Sequence, residues 1–335
     1  MGLILNRKTI LLLSLLFLLV CPWFSGPYYM HLIILCFIWA VVASAWNLIM
    51  GYAGIYSFAQ LAFFTVGAYA AGMVEIWFKV SPWLGLLIGG FFAAFAGLII
   101  AFPCLKLKGL YICLVTIAFH QIIPIFIKLG GTWTGGDVGL MGMPHYRLFG
   151  HDFGNSRIYY YYLAFIVFLL FQYIIYRIIR SNIGLAFVAL RDSEGFAESL
   201  GVDRQRYNLI VFSISAFITG LMGALYIHYL KVATPRTLEI EIFAAAIMMV
   251  VVGGLGNFSG SILGAFFVTF LDEFLRTAGL IRPIIFGAII MFGIVLFPKG
   301  LGGLVDSLEE FIQERLGLSA GEQIPVAPVD KGHSP

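Results

Sequence analysis

The charged side chains that could act together lie between residues 180 and 201, where Arg191, Asp192, Glu194 and Glu198 interrupt an otherwise apolar chain. Ile183, Phe187, Leu190, Glu194, Ala197 and Leu200 recur there at helical spacing, the pattern of a helix with one face packed and one face wet. Gly201 suits the end of such a helix because glycine tolerates a left-handed backbone. Two readings follow from periodicity alone. The stretch is either a helix lying on a surface and offering one side to a soluble protein, or an ordinary solvated loop helix.

Signatures of catalysis fail on inspection. No G-x-x-x-x-G-K-[ST] phosphate loop occurs, so the chain is not expected to hydrolyse ATP or to be an enzyme. His120 and His228 stand isolated in apolar segments, and His145 and His151 have only Asp152 nearby. Cys21, Cys36, Cys104 and Cys113 also lack metal-ligand spacing and read as small apolar packing residues. Neither a metal nor a cofactor is expected.

A second group of polar residues sits where apolar runs are broken. The stretch from Asn47 to Gln60 carries Gly51, Gly54 and Ser57, and Thr65 follows. A later run holds Gly253, Gly254 and Gly256. Non-helical backbone at membrane depth is tolerated only against protein or a watery cavity. Asn47, Gly51, Gly54, Ser57, Gln60, Thr65, Gly253, Gly254 and Gly256 are therefore candidate liners of a solute path. The competing account is helix packing, since small residues let helices approach closely. Gly67 to Gly72 reads as packing.

The elements that must position these residues are membrane helices. Of 335 residues, 61% are hydrophobic and 11% charged, against about 25% charged in soluble domains. A surface so poor in charge must face lipid. Long apolar runs such as Ala244 to Val252 exclude the alternation of a membrane β-barrel. A crossing needs about 20 apolar residues, and ten segments can be read: Ile10–Phe24, His31–Met50, Phe58–Ile76, Trp83–Phe102, Leu110–Leu129, Ile158–Tyr176, Asn208–Leu230, Ile240–Val252, Ser261–Leu275 and Pro283–Phe297. The expected fold is an all-α polytopic bundle of about 8–10 spans. The eighth and ninth segments are short, and read as tilted crossings or as a broken or re-entrant element. The first is expected to be a retained span, not a cleaved signal.

Five Arg and no Lys cluster between the sixth and seventh segments, which places that connection and both termini in the cytoplasm. Residues 1–303 then form one transmembrane unit, with an inner loop at 177–207 and an outer loop at 130–157. Residues 304–335 comprise an amphipathic cytoplasmic helix, Leu304 to Leu316, and a polar disordered tail. Charged residues, Arg236 among them, are placed at span ends or in connections. Asp272 and Glu273, with Arg276 one turn on, form an exposed outer cluster. The scarcity of charge within spans argues against a carrier driven by protons or sodium.

Several segments resemble a known family. Gly51-Tyr52-Ala53-Gly54-Ile55-Tyr56-Ser57-Phe58-Ala59-Gln60, running on to Tyr69, is similar to the "GYAGQxSxGxAAFFGxGAY" segment of branched-chain amino acid ABC permeases of the LivM type. Lys108-Gly109-Leu110-Tyr111, Thr134-Gly135-Gly136-Asp137-Val138-Gly139-Leu140, the inner loop, Gly220 to Tyr226, Gly253 to Gly260 and Phe297 to Leu301 resemble further segments in family order. Leu185 stands where the family usually carries a basic residue, and Ser193-Glu194-Gly195 loosens its acidic pattern.

The resemblance implies a permease subunit of the bacterial inner membrane, importing branched-chain or other neutral amino acids by alternating access. Its implied partners are a second related permease subunit, two cytoplasmic ATPase subunits and a periplasmic solute-binding protein. It also implies that Leu190, Arg191, Asp192, Glu194, Ala197, Glu198, Leu200 and Gly201 belong to a coupling helix on the ATPase. Urea or a short amide is the runner-up solute. A passive channel for a small polar solute is the alternative of a different class.

Overall fold

The computed structural model describes residues 7–24, 26–148, 151–296 and 300–303. The expected helix at Leu304 to Leu316, the tail after it and the Phe297 to Lys299 part of the last family segment lie outside the described residues.

Twelve α-helices make up most of the described chain: α1 (Arg7–Phe24), α2 (Pro27–Asn47), α3 (Gln60–Phe78), α4 (Pro82–Cys104), α5 (Leu110–Leu129), α6 (Arg157–Ile179), α7 (Asn182–Asp192), α8 (Glu194–Ser199), α9 (Arg204–Leu230), α10 (Ile240–Gly253), α11 (Phe258–Phe274) and α12 (Arg282–Leu296). Six of them, α2 to α6 and α9, are long and apolar enough to cross a membrane. Apart from these helices there are a few helical turns and four two-residue strands, β1 (Leu140–Met141), β2 (Arg147–Leu148), β3 (His151–Asp152) and β4 (Val232–Ala233), in two antiparallel pairs.

Local chemistry sets the helix ends. Pro27 and Pro82 open α2 and α4, where the missing N–H would have been an orphan. Asp203 caps α9 by accepting from the backbone N–H groups of Gln205 and Arg206, at 2.9 and 3.2 Å, which satisfies two of its orphan donors.

The tightest packing joins α3, α4 and α9. A β-carbon at Gly220 would overlap Ala93, and one at Gly67 would overlap the Gly220 backbone, so these helices meet almost backbone to backbone. Beside them α2 is buried on nearly every face, between α6, α9 and α11. Trp39 stacks on Phe64 at 5.4 Å, and Phe37 packs among Tyr161, Phe165 and Phe168.

Heights within the bundle follow from contacts. We call the end that carries α7 and α8 inner. Near it, Phe58 N–H donates to Thr116 Oγ1 at 3.0 Å; further out Phe63 meets Phe119, and at the outer end Trp77 meets Trp133. Thr65 and His120 therefore sit at mid-height, with His120 in the middle of α5.

The eighth apolar segment is half of a broken crossing. After α9 the chain turns back along α3 before any α-helix forms. Tyr69 Oη donates to the Ala233 carbonyl at 3.0 Å, the Thr65 and Thr237 hydroxyls lie 3.0 Å apart, and His120 Nε2 is 3.2 Å from the Leu238 carbonyl. Only then does α10 begin, and its end reaches the inner side, where Gly256 N–H donates to Asn47 Oδ1 at 2.9 Å. The outer half of this crossing is strand β4 and a 3-10 turn, Pro235–Leu238. Such backbone survives at this depth because α3 and α5 cover it. Arg236 is consequently at mid-height and not in an outer connection.

Candidate functional site

The inner loop folds as two helices instead of one. Extended backbone at Ser193 (φ −156°, ψ 96°) separates α7 from α8. Helix α8 stops at Gly201, whose φ of +87° is the left-handed conformation; its N–H bonds the Glu198 carbonyl at 2.9 Å, and Val202 N–H bonds that of Ala197 at 3.1 Å, closing the helix end.

The eight residues assigned to this loop divide by direction. Leu190 is half-buried and Ala197 fully buried. Glu194 is held by Lys108 Nζ at 2.9 Å and Arg204 Nη1 at 3.2 Å, so its carboxylate ties α8 to the starts of α5 and α9. Asp192, Glu198 and Leu200 face solvent, as does Phe196 at 66% exposure. Phe196 was missing from the candidates because it falls off the apolar stripe. Its exposure beside Leu200, at 69%, creates an apolar patch ringed by Asp192 and Glu198.

Arg191 connects this loop to the broken helices. Its Nη1 donates to the Gly51 carbonyl at 2.8 Å, while Nη2 pairs with Asp192 at 2.9 Å. Gly51 lies in a π-helical turn, Leu48–Tyr52, that ends the α2 rod; such turns expose carbonyls that a regular helix would use internally. Behind it, Asn47 accepts from Gly256 N–H and donates through Nδ2 to the Asn257 carbonyl at 2.9 Å and Ser261 Oγ at 3.4 Å. A β-carbon at Gly51 would collide with both Asn47 and Gly256. Arg191, Gly51, Asn47 and the 253–257 turn thus form one knot at the inner end. A cavity of about 210 Å³ opens beside it, lined by Gly54, Tyr56, Lys108, Arg191, Glu194 and Arg204 among others.

In this conformation the expected path liners also fasten helices, and Gly54 lines the inner cavity as well. Gln60, fully buried, donates to Ser215 Oγ at 2.8 Å and to Thr219 Oγ1, and its Oε1 accepts from Ser215 Oγ at 3.2 Å. Ser57 is buried and its carbonyl accepts from Trp46 Nε1 at 2.8 Å. Thr65 is tied to Thr237. Gly54 packs on Arg191, Gly253 packs on Gly260, and Gly254 takes the tight turn into α11 against Gly300. Buried polar groups must be paired, and here the partners are other helices.

Two ionisable groups are buried together near the outer ends of α3 and α9. His228, in α9, places Nε2 3.0 Å from Glu75 Oε1 of α3, with both side chains fully buried. The two atoms lie off a hydrogen-bond axis, and Glu75 Oε2 has no partner among the described residues. His228 Nδ1 is 3.1 Å from the Pro144 carbonyl, which can only accept, so Nδ1 carries a proton. The pair secures the outer loop to α3 and α9. Histidine is therefore not isolated at this position. Glu75 escaped notice because it reads as the end of an apolar run. At the outer end Asp272 pairs with Arg282 and Glu273 with Arg276 and Tyr28. Among the described residues no group of His, Cys, Asp and Glu could hold a metal ion, and no disulfide joins the cysteines.

Comparison with known proteins places this architecture. Residues 28–297 match the family model described as branched-chain amino acid transport system / permease component. The chain is 26% identical over 311 residues, 86% of its length and 72% of the relative's, to the high-affinity branched-chain amino acid transport system permease protein LivM of Escherichia coli K12. It is 24% identical over 266 residues, 74% of its length and 83% of the relative's, to a probable branched-chain amino acid transport permease protein LivH of Methanocaldococcus jannaschii. An autoinducer 2 import system permease protein LsrC of Escherichia coli O9:H4 is 26% identical over 197 residues, 57% of this chain and 53% of its own. No solved structure matches. With the matched region running from α2 through α12, the chain belongs to the family of permease components of branched-chain amino acid transport systems.

Proposed function

We propose that this membrane protein is the permease subunit of an ATP-driven importer in the bacterial inner membrane and carries branched-chain or similar neutral amino acids by alternating access. Its partners are a second related permease, two cytoplasmic ATPases and a periplasmic solute-binding protein. Both termini and the α7–α8 loop face the cytoplasm. The observation that carries the reading is the Arg191 knot, which joins an exposed surface helix to the point where α2, α10 and α11 are all interrupted.

In this scheme the exposed patch of Phe196 and Leu200, rimmed by Asp192 and Glu198, sits on the ATPase. Glu194, Leu190 and Ala197 hold α7 and α8 against the spans, Gly201 sets the turn back into α9, and Arg191 passes displacement to Gly51. Nothing is converted in the solute, and the chain contributes a path and a lever. The two end states must differ in their interactions with ATPase and solute.

The test is uptake of radiolabelled leucine into proteoliposomes holding the two permeases and ATPases, supplied with ATP and binding protein. ATP-dependent accumulation, competed by isoleucine and valine, is expected. Competition by urea or a short amide alone would reassign the solute. Leucine flux through this chain alone, without ATPase or ATP, would overturn the reading in favour of a passive facilitator.

A further inference from the structure

The broken eighth crossing leaves three charged side chains where lipid would reject them. Arg236 lies beside Thr237, which touches Thr65, and Glu239 follows Leu238, which touches His120. Both contacts are at mid-height. Glu241 is in the first turn of α10. All three are exposed on this chain, and none is in an ion pair among the described residues. Gln121, the neighbour of His120 on α5, is exposed at the same height.

Other outward faces at this depth are apolar. On α4 they are Phe91, Phe92 and Phe95, and on α6 they are Ile166 and Leu170. Those faces suit acyl chains. The edge made by α5 and the start of α10 does not, because an ionisable group at the bilayer centre faces a bundle interior or water almost without exception.

Two features point from water to a ligand. A helix that starts at mid-depth after unwound backbone is the architecture with which transporters hold solutes at the membrane midplane. Behind the edge His120, 2% exposed, keeps Nδ1 without a partner among the described residues while its Nε2 meets the Leu238 carbonyl. The edge also offers both signs within six residues of sequence, so one small solute bearing a carboxylate and an ammonium could satisfy it.

Resting on the importer reading above, we propose that Arg236, Glu239 and Glu241 line a water-filled passage at mid-membrane and contact a zwitterionic solute there. Arg236 meets the carboxylate, and Glu239 and Glu241 meet the ammonium. Selectivity for zwitterions then lies partly in this chain.

The experiment uses the whole importer in proteoliposomes, with Cys21, Cys36, Cys104 and Cys113 replaced by Ala. Arg236→Cys and Glu239→Cys are exposed to a membrane-impermeant cationic methanethiosulfonate, with Ile166→Cys as the lipid-facing comparison. Labelling of the first two, slowed by L-leucine, and none of the third is expected. Arg236→Gln and Glu239→Gln, in the native background, should each weaken leucine uptake about tenfold, the loss of one charge-assisted hydrogen bond, while ATP hydrolysis continues. No labelling at 236 and 239 would overturn the proposal, because the charges would then be sealed against a neighbouring subunit. Labelling with uptake unchanged in both Gln variants would overturn the solute contact. If the unaltered complex fails to import leucine, the importer reading falls, and the labelling still decides whether this edge faces water.

Discussion

Single side chains in this molecule do different work from what their chemistry first suggests. Glu194 looks like a docking carboxylate, yet Lys108 and Arg204 already hold it. Partly exposed ion pairs are worth about 0.2–1 kcal/mol each, so Glu194→Arg, which sets three cations together, should lower ATP-coupled uptake several-fold without abolishing it. Membrane insertion should be normal, and Glu194→Arg combined with Arg204→Glu should recover part of the loss. Normal uptake by the inserted single variant would show that this clamp does not matter. Gln60 illustrates the opposite case. It invites a reading as a path liner, but it is enclosed by Ser215 and Thr219. Gln60→Leu leaves their hydroxyls short of a partner and should destabilise the bundle by about 1–3 kcal/mol, seen as a lower melting point in detergent. Unchanged melting with impaired transport would return Gln60 to the path.

At the scale of elements, the long spans were legible because lipid demands continuous apolar runs. The fifth segment, Leu110 to Leu129, coincides with α5, and most others differ by a few residues at their ends. The eighth crossing was only half legible. Its outer part contains Pro235, Arg236 and Glu239, which read as a connection, since only cover from α3 and α5 makes that backbone tenable at depth. The inner loop was legible as helical, but the break at Ser193 was not, because periodicity from Ile183 to Leu200 continues through it. Phe196 and Leu200, four residues apart on one face, are both exposed there. Burying a Leu is worth about 1.5–3 kcal/mol, so Leu200→Glu should weaken ATPase association about tenfold or more. Sedimentation or pull-down of the assembled complex measures this, and equal ATPase retention would remove α8 from the contact.

Over the whole molecule, the α7–α8 surface and the mid-height charges lie at different depths, and the knot of Arg191, Gly51, Asn47 and Gly256 stands between them. A lever transmits only if its joints are stiff, and this joint is made of a guanidinium on a carbonyl and an amide bridging two backbones. Arg191 also pairs with Asp192 at the rim of the patch, so ATPase retention must be measured beside uptake to separate transmission from docking. A charge-assisted hydrogen bond contributes about 1.5–3 kcal/mol. Arg191→Ala should therefore leave the ATPases bound and hydrolysing while leucine uptake drops about tenfold or more, raising the ATP consumed per leucine moved. Arg191→Lys keeps the charge without the guanidinium fork and should fall between the two. The measurement is ATPase retention, hydrolysis and uptake in the same proteoliposomes. Should both fall in proportion, Arg191 serves assembly, and the coupling route runs elsewhere, with the Glu194 clamp into α5 and α9 the next contact to break.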